Sequence, residues 1–183
     1  MINIFLTGEV GIGKSTFIEK TLALLPDVVY GGFRTISSAP ITAEAMLDVF
    51  IESAWEKMPR DISHRVGTRW GDKRFTAYPE IFDSIGASVL AAPPANASLI
   101  LMDELGVMES DAELFKSAVF DVLNSSSSVL GTIKPKQTDF LNAIRAHKRS
   151  IVFEINQQNR DSLHFRIANL LKDELFIDKV IPK

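Results

Sequence analysis

Asn3-Ile4-Phe5-Leu6-Thr7-Gly8-Glu9-Val10-Gly11-Ile12-Gly13-Lys14-Ser15 is the stretch on which the fold turns. Asn3 to Leu6 is a short apolar run of strand formers that ends at Gly8, which predicts a first, buried strand. From Lys14 the period changes. Phe17, Ile18, Thr21, Leu22 and Leu25 recur at helical spacing, and Pro26 stops the helix. Between strand and helix, Gly8 to Ser15 satisfies G-x-x-x-x-G-K-[ST] in full. Gly8 and Gly13 permit backbone angles and close approaches that a Cβ would block. The backbone of Gly8, Glu9, Val10, Gly11, Ile12, Gly13, Lys14, Ser15 and Thr16 can then surround a phosphate at the helix N-terminus. Lys14 is expected on the β/γ oxygens, as a catalytic as well as a binding residue. Ser15 is expected to offer its hydroxyl to Mg²⁺, a hard ion that prefers oxygen ligands. The bland alternative is a glycine-rich turn with an exposed lysine, and the strand–loop–helix setting argues against it.

Such a loop needs a carboxylate across the sheet to hold Mg²⁺. Leu99-Ile100-Leu101-Met102 is an unbroken apolar run leading into Asp103. This is the form of a buried strand with a metal-binding Asp at its C-terminal end, where parallel sheets bind ligands. Glu104 follows at once, placed to act as general base or to position an attacking water. The alternative is that both acids merely end a strand in solvent. Asp103-Glu104-Leu105-Gly106 also fits D-x-x-G, but no N-K-x-D guanine reader occurs in the chain. The adjacent glutamate points to the P-loop NTPases that use a strand-end Glu, the RecA-like branch. There a further strand lies between the P-loop strand and the Asp strand. Ser128 to Ile133 is the candidate, with Thr132 either sensing the γ-phosphate or serving as an ordinary strand-end residue.

The rest of the chain supports an α/β fold, a mainly parallel sheet flanked by helices. Strands are expected at Val28 to Tyr30 (punctuated by Gly31-Gly32), Ser128 to Ile133 and Ile151 to Ile155. Helices are expected at Pro79 to Ala92, Ser110 to Leu123, Thr138 to His147 and Ser162 to Leu171. Ala43 to Trp55 suits either a helix or an alternating strand, and strand is favoured. Arg60 to Arg74 is polar and basic and reads as loop or hairpin. With 183 residues, 46% hydrophobic, one domain over residues 1–183 is expected. Twenty basic against 23 acidic residues give a net charge of −3, which disfavours a nucleic-acid binder. The absence of cysteine excludes a disulfide scaffold and thiolate sites and fits the cytoplasm. No apolar run approaches the ~20 residues of a membrane span, and no signal peptide is expected.

These residues together resemble the cancer-related nucleoside-triphosphatase family, small P-loop NTPases also found in thermophilic microbes. Gly31-Gly32-Phe33-Arg34-Thr35 resembles its G-G-F-x-T segment. Leu101-Met102-Asp103-Glu104-Leu105-Gly106-Val107-Met108-Glu109 resembles its I-D-E-[IL]-G-x-M-E block, and Asn159-Arg160-Asp161 its N-R-D element. The resemblance implies Mg²⁺-dependent hydrolysis of several nucleoside triphosphates with little base preference. It also implies that Ala45 to Ser53 is a strand. After Thr35 the chain departs from the family. Ile36-Ser37-Ser38-Ala39-Pro40 stands where an acidic residue and an arginine-glycine stretch are common.

Other residues carry two readings. Among Arg60, Arg65, Arg69, Lys73 and Arg74, one arginine is expected either to act as an arginine finger or to be solvated. Trp70 and Phe75 suggest single-strand contact only weakly. Arg160 is a candidate for the phosphates and Asn159 for the base, against a helix-capping reading of Asn159 and Asp161. His64, His147 and His164 lack metal-ligand spacing. Three functions compete: hydrolysis of ATP, GTP and other triphosphates by water, phosphoryl transfer to a small acceptor, and a GTP-binding adaptor resembling the molybdopterin-guanine dinucleotide biosynthesis adaptor. Any protein partner is unknown from sequence.

Overall fold

The computed structural model describes residues 1–40, 46–71 and 74–176. β1 (Asn3–Thr7) leads into α1 (Lys14–Ala23). β2 (Tyr30–Ser37), β3 (Met46–Ser53), a 3₁₀ turn (Ile62–His64), β4 (Arg65–Trp70) and β5 (Arg74–Ala77) follow. A helical stretch comes next, made of α2 (Pro79–Ile81), a π-turn (Phe82–Gly86) and α3 (Ala87–Ala91). It precedes β6 (Leu99–Leu105), α4 (Glu113–Asn124), β7 (Ser128–Ile133), α5 (Asp139–Ala146), β8 (Ser150–Glu154) and α6 (Leu163–Phe176).

The strands form one sheet in the order β5-β4-β3-β2-β6-β7-β1-β8. β2, β6, β7, β1 and β8 run parallel, and β3, β4 and β5 extend the sheet as an antiparallel meander from β2. β7 therefore lies between β1 and β6, as the strand-end glutamate predicts. Both faces of the central strands β1, β6 and β7 are covered, which is why they are buried almost throughout and mostly apolar, whereas edge strand β8 leaves Ile151 exposed. Ile4, Leu6, Leu99, Leu101 and Leu130 pack with Phe17, Ile18, Ile167 and Leu171 of α1 and α6. Phe5, Ile100, Met102 and Val129 alternate to the other face, against Phe82, Phe115, Leu141 and Ile144.

Three expectations shift. β2 does not stop at Gly31-Gly32 but runs through them to Ser37. A Cβ on Gly32, whose φ is 100°, would stand 2.0 Å from the Leu101 carbonyl oxygen, so close strand packing and not a turn requires glycine there. β6 likewise continues through Asp103 and Glu104 to Leu105. The expected Pro79 to Ala92 helix is interrupted by the π-turn, where Gly86 passes close to the Phe115 ring. Arg60 to Arg74 proves to hold the first strand of the β4–β5 hairpin, with Lys73 outside the described residues. Ala43 to Trp55 contains β3, its first three residues likewise lying outside them.

Candidate active site

Gly13 caps α1 at φ 98°, ψ 30°, a left-handed conformation, and no side chain caps the helix. The first turn carries no acidic residue. The α1 N-terminus thus presents uncompensated N–H groups to the loop, the condition for anion binding. Lys14 folds back over this loop. Its Nζ donates to the Gly8 carbonyl at 3.1 Å and to that of Glu9 at 3.2 Å, and lies 3.4 Å from Glu104 Oε1.

The ends of β6 and β7 form the facing wall. Asp103 is 7% exposed, and Thr132 Oγ1 donates to Asp103 Oδ1 at 2.6 Å. Thr132 is fully buried and lies outside the cleft lining. The Thr132 hydroxyl is thus engaged by the metal-binding candidate and holds that carboxylate in place. Thr35 of β2 clamps the neighbouring backbone: its hydroxyl donates to the Asp103 carbonyl at 3.4 Å and accepts from the Glu104 N–H at 3.3 Å. Glu104 Oε1 is buried and makes no hydrogen bond within the protein. Its Oε2 is 3.8 Å from Lys134 Nζ.

Between these walls lies a cleft of about 290 Å³, bounded by the loop and by Ser15, Thr16, Thr35, Asp103, Glu104, Glu109 and Lys134. Ser15 and Asp103 thus meet the same space, and a hydroxyl and a carboxylate are the hard oxygen donors that Mg²⁺ takes alongside phosphate and water. The residues present fit the ion. Arg69 of β4 lines the outer wall and makes no ion pair or hydrogen bond among the described residues. Arg60 instead pairs with Glu52, and Arg65 with Asp48 and the Tyr78 ring.

The third element divides. Asn159 accepts from the Asn156 N–H at 2.9 Å and donates to the Glu154 carbonyl at 2.9 Å, so its side chain ties down the loop after β8. Arg160 and Asp161 border a second depression, of about 280 Å³, with Phe17 and Lys20, and it shares Gly11, Gly13 and Thr16 with the cleft. None of the three histidines lines the cleft.

Sequence reasoning assigns no role to Lys134, Thr35 or Glu109, although the last two fall within the blocks that resemble the family. Glu109 is 2% exposed and accepts from the Gly106 N–H. Burial raises its carboxyl from 4.5 to about 7, and the nearby Glu104 adds to this. The Gly106 hydrogen bond and the Lys134 charge oppose it. The folded value lies above the unfolded one, so the folded state binds the extra proton. The Glu109 contribution to stability is fully present below about pH 4.5 and is lost as pH rises through 7, by about 3 kcal/mol in all. Glu109→Gln should remove this loss. Denaturant melts of the two proteins should then diverge in favour of the variant between pH 4.5 and 7.5, and a gap independent of pH would contradict the assignment.

A glycine loop on a helix N-terminus, with Asp and Glu at the end of a strand two places away in a parallel sheet, defines a P-loop NTPase of the strand-end glutamate class. The chain belongs to the family described as NTPase, whose model matches residues 3–168. Among its relatives is the nucleoside-triphosphatase THEP1 of Methanosarcina barkeri, 33% identical over 94% of this chain and 99% of that protein. The solution structure of a human cancer-related nucleoside triphosphatase superposes with TM-score 0.67 at 26% identity, covering 94% of this chain and 98% of that one. The crystal structure of THEP1 from Aquifex aeolicus shares the fold, with TM-score 0.73 at 21% identity over 93% and 99% of the two chains.

Proposed function

We propose that the chain is an Mg²⁺-dependent nucleoside triphosphatase in which water attacks the γ-phosphorus of ATP, GTP and other triphosphates with low base selectivity. The observation that carries this reading is the position of Glu104, a carboxylate beside Lys14 at the mouth of the phosphate loop, with one oxygen free of protein hydrogen bonds. In the reading, the loop N–H groups and Lys14 bind the β- and γ-phosphates. Asp103, fixed by Thr132, and Ser15 would hold Mg²⁺, which would supply positive charge beside the phosphates. Thr35 keeps the Asp103–Glu104 backbone in place, so Glu104 can orient a water and take its proton. The water oxygen bonds to phosphorus as the bond to the bridging oxygen breaks, releasing phosphate and a nucleoside diphosphate. Arg69 is the residue of the basic segment whose place suits an arginine finger, and Arg160 is proposed for the outer phosphate or ribose side. A single catalytic domain acting in the cytoplasm completes the reading. No helix among the described residues is long and apolar enough to cross a membrane.

Low selectivity follows from where binding energy arises. Phosphate contacts dominate, and Asn159, the base-reading candidate, has its amide engaged within its own loop. Phosphate release from ATP, GTP, CTP and UTP should require Mg²⁺ and stop with chelator. Values of kcat/KM should fall within ~100-fold of one another, about 2.7 kcal/mol. A larger preference for one base, or turnover that appears only when a small-molecule acceptor is added, would contradict it.

A further inference from the structure

Lys134 stands immediately beyond β7, two residues past Thr132, and strand alternation puts both side chains on the face that carries the phosphate loop. Its mount is rigid. The backbone N–H donates to the Leu105 carbonyl at 2.9 Å, and the backbone carbonyl accepts from Arg145 Nη2 of α5 at 2.6 Å. The aliphatic stem lies over Gly106, where an added Cβ would meet Lys134 Cδ at 3.0 Å. Only the ammonium is left to point into the cleft, and its side chain is 27% exposed. This is not a solvated surface lysine free to sample many rotamers.

The charges around it are uneven. Glu104 is bracketed by two ammonium groups, with Oε1 3.4 Å from Lys14 and Oε2 3.8 Å from Lys134. Lys14 is already bound to two loop carbonyls, whereas among the described residues Lys134 has no hydrogen bond for its ammonium, only this long ion pair. A cation so held, opposite an anion-binding helix terminus, is oriented before any triphosphate arrives. We propose that Lys134 is a second phosphate-binding cation of this site: its ammonium contacts the γ-phosphoryl oxygens and stabilises the charge on them as water adds and the diphosphate leaves. This rests on the proposed hydrolysis at the same cleft. Lys134 neither gives nor takes a proton in the step. The proton of the water goes to Glu104, and the electron pair of the broken bond leaves with the diphosphate.

The alternative is that Lys134 serves only as the ion-pair partner of Glu104, and a double-variant experiment separates the two. Affinities for a non-hydrolysable triphosphate and for the diphosphate, both with Mg²⁺, are measured in Lys134→Met, in Glu104→Gln and in the combined protein, beside single-turnover rates. Contact with the γ-phosphate predicts that Lys134→Met weakens triphosphate binding about tenfold, leaves diphosphate binding within twofold, and slows turnover about 10²-fold. It also predicts that the tenfold loss persists when Glu104 is already Gln. Lys134→Arg should restore most of the triphosphate preference. Loss of the triphosphate effect in the Glu104→Gln background, equal weakening of both nucleotides, or unchanged behaviour in a folded Lys134→Met protein would each overturn the proposal. Thermal melting of Lys134→Met and Lys134→Gln checks the fold. The binding arm stands without turnover, so a wild-type protein that binds but does not hydrolyse would refute the proposed function while the Lys134 contact is still decided.

Discussion

Glu104→Gln is expected to slow single-turnover hydrolysis by about 10²–10⁴-fold, the usual contribution of a general base, while the protein still binds triphosphate. The amide keeps the size of the carboxylate and leaves Lys14, Ser15 and Asp103 in place, but it accepts no proton. Electrostatics sharpen the expectation. Glu104 engages both Lys14 and Lys134, so an incoming triphosphate competes with its negative charge for those ammonium groups. Removing that charge frees them, and affinity should be equal to or tighter than that of the unaltered protein. Asp103→Asn should behave differently, losing Mg²⁺ dependence rather than proton transfer. Rapid-quench rates beside equilibrium binding distinguish these patterns. Unchanged hydrolysis in folded Glu104→Gln protein would remove the residue from the chemistry.

Lys14→Ala should lower turnover by about 10²–10³-fold, the range for one lost oxyanion donor, and weaken triphosphate binding as well. Unlike Glu104, the lysine is expected to bind the phosphates in the ground state and to hold them more strongly as charge develops in the transition state, so its loss lowers both affinity and turnover. The fold should survive. Lys14 bonds only to the carbonyls of its own loop and to Glu104, and it belongs to neither hydrophobic cluster. Circular dichroism and isothermal titration with the triphosphate check both halves. A folded variant that binds and hydrolyses normally would contradict the role of the loop.

The parts of the site written contiguously in the chain are legible in the sequence itself. Gly8 to Ser15 carries its own strand–loop–helix context, and Leu99 to Glu104 shows an apolar strand with its acids at the end. The place of β7 between β1 and β6 is also legible, because an adjacent glutamate implies that order. What escapes sequence reading is built by register across strands. Thr35 reaches the Asp103–Glu104 backbone only because Arg34 pairs with Asp103 in the β2–β6 ladder. Lys134 meets Glu104 only because β7 lies beside β6. Periodicity puts Thr132 near the right atoms, but it does not say whether a strand-end hydroxyl faces the cleft or the neighbouring Asp103 carboxylate, to which it donates. Glycine misleads at Gly31-Gly32, where close packing on β6 and Pro93 looks, in sequence, the same as a turn. Ala43 to Trp55 carries two competing periods, and pairing with β2 and β4 resolves Met46–Ser53 as strand. The raised pKa of Glu109 depends on burial by residues distant in sequence, so no local pattern announces it.

The proposed reaction directs water to the γ-phosphorus. It is tested most directly by a single turnover of Mg²⁺–ATP in ¹⁸O-enriched water, with mass spectrometry of both products. Attack by water at the γ-phosphorus should leave one solvent oxygen in the released phosphate and none in the diphosphate, with the signal abolished on the same timescale in Glu104→Gln protein. Solvent oxygen in the diphosphate, pyrophosphate as a product, or a γ-phosphoryl group recovered on an acceptor and not as phosphate would contradict it.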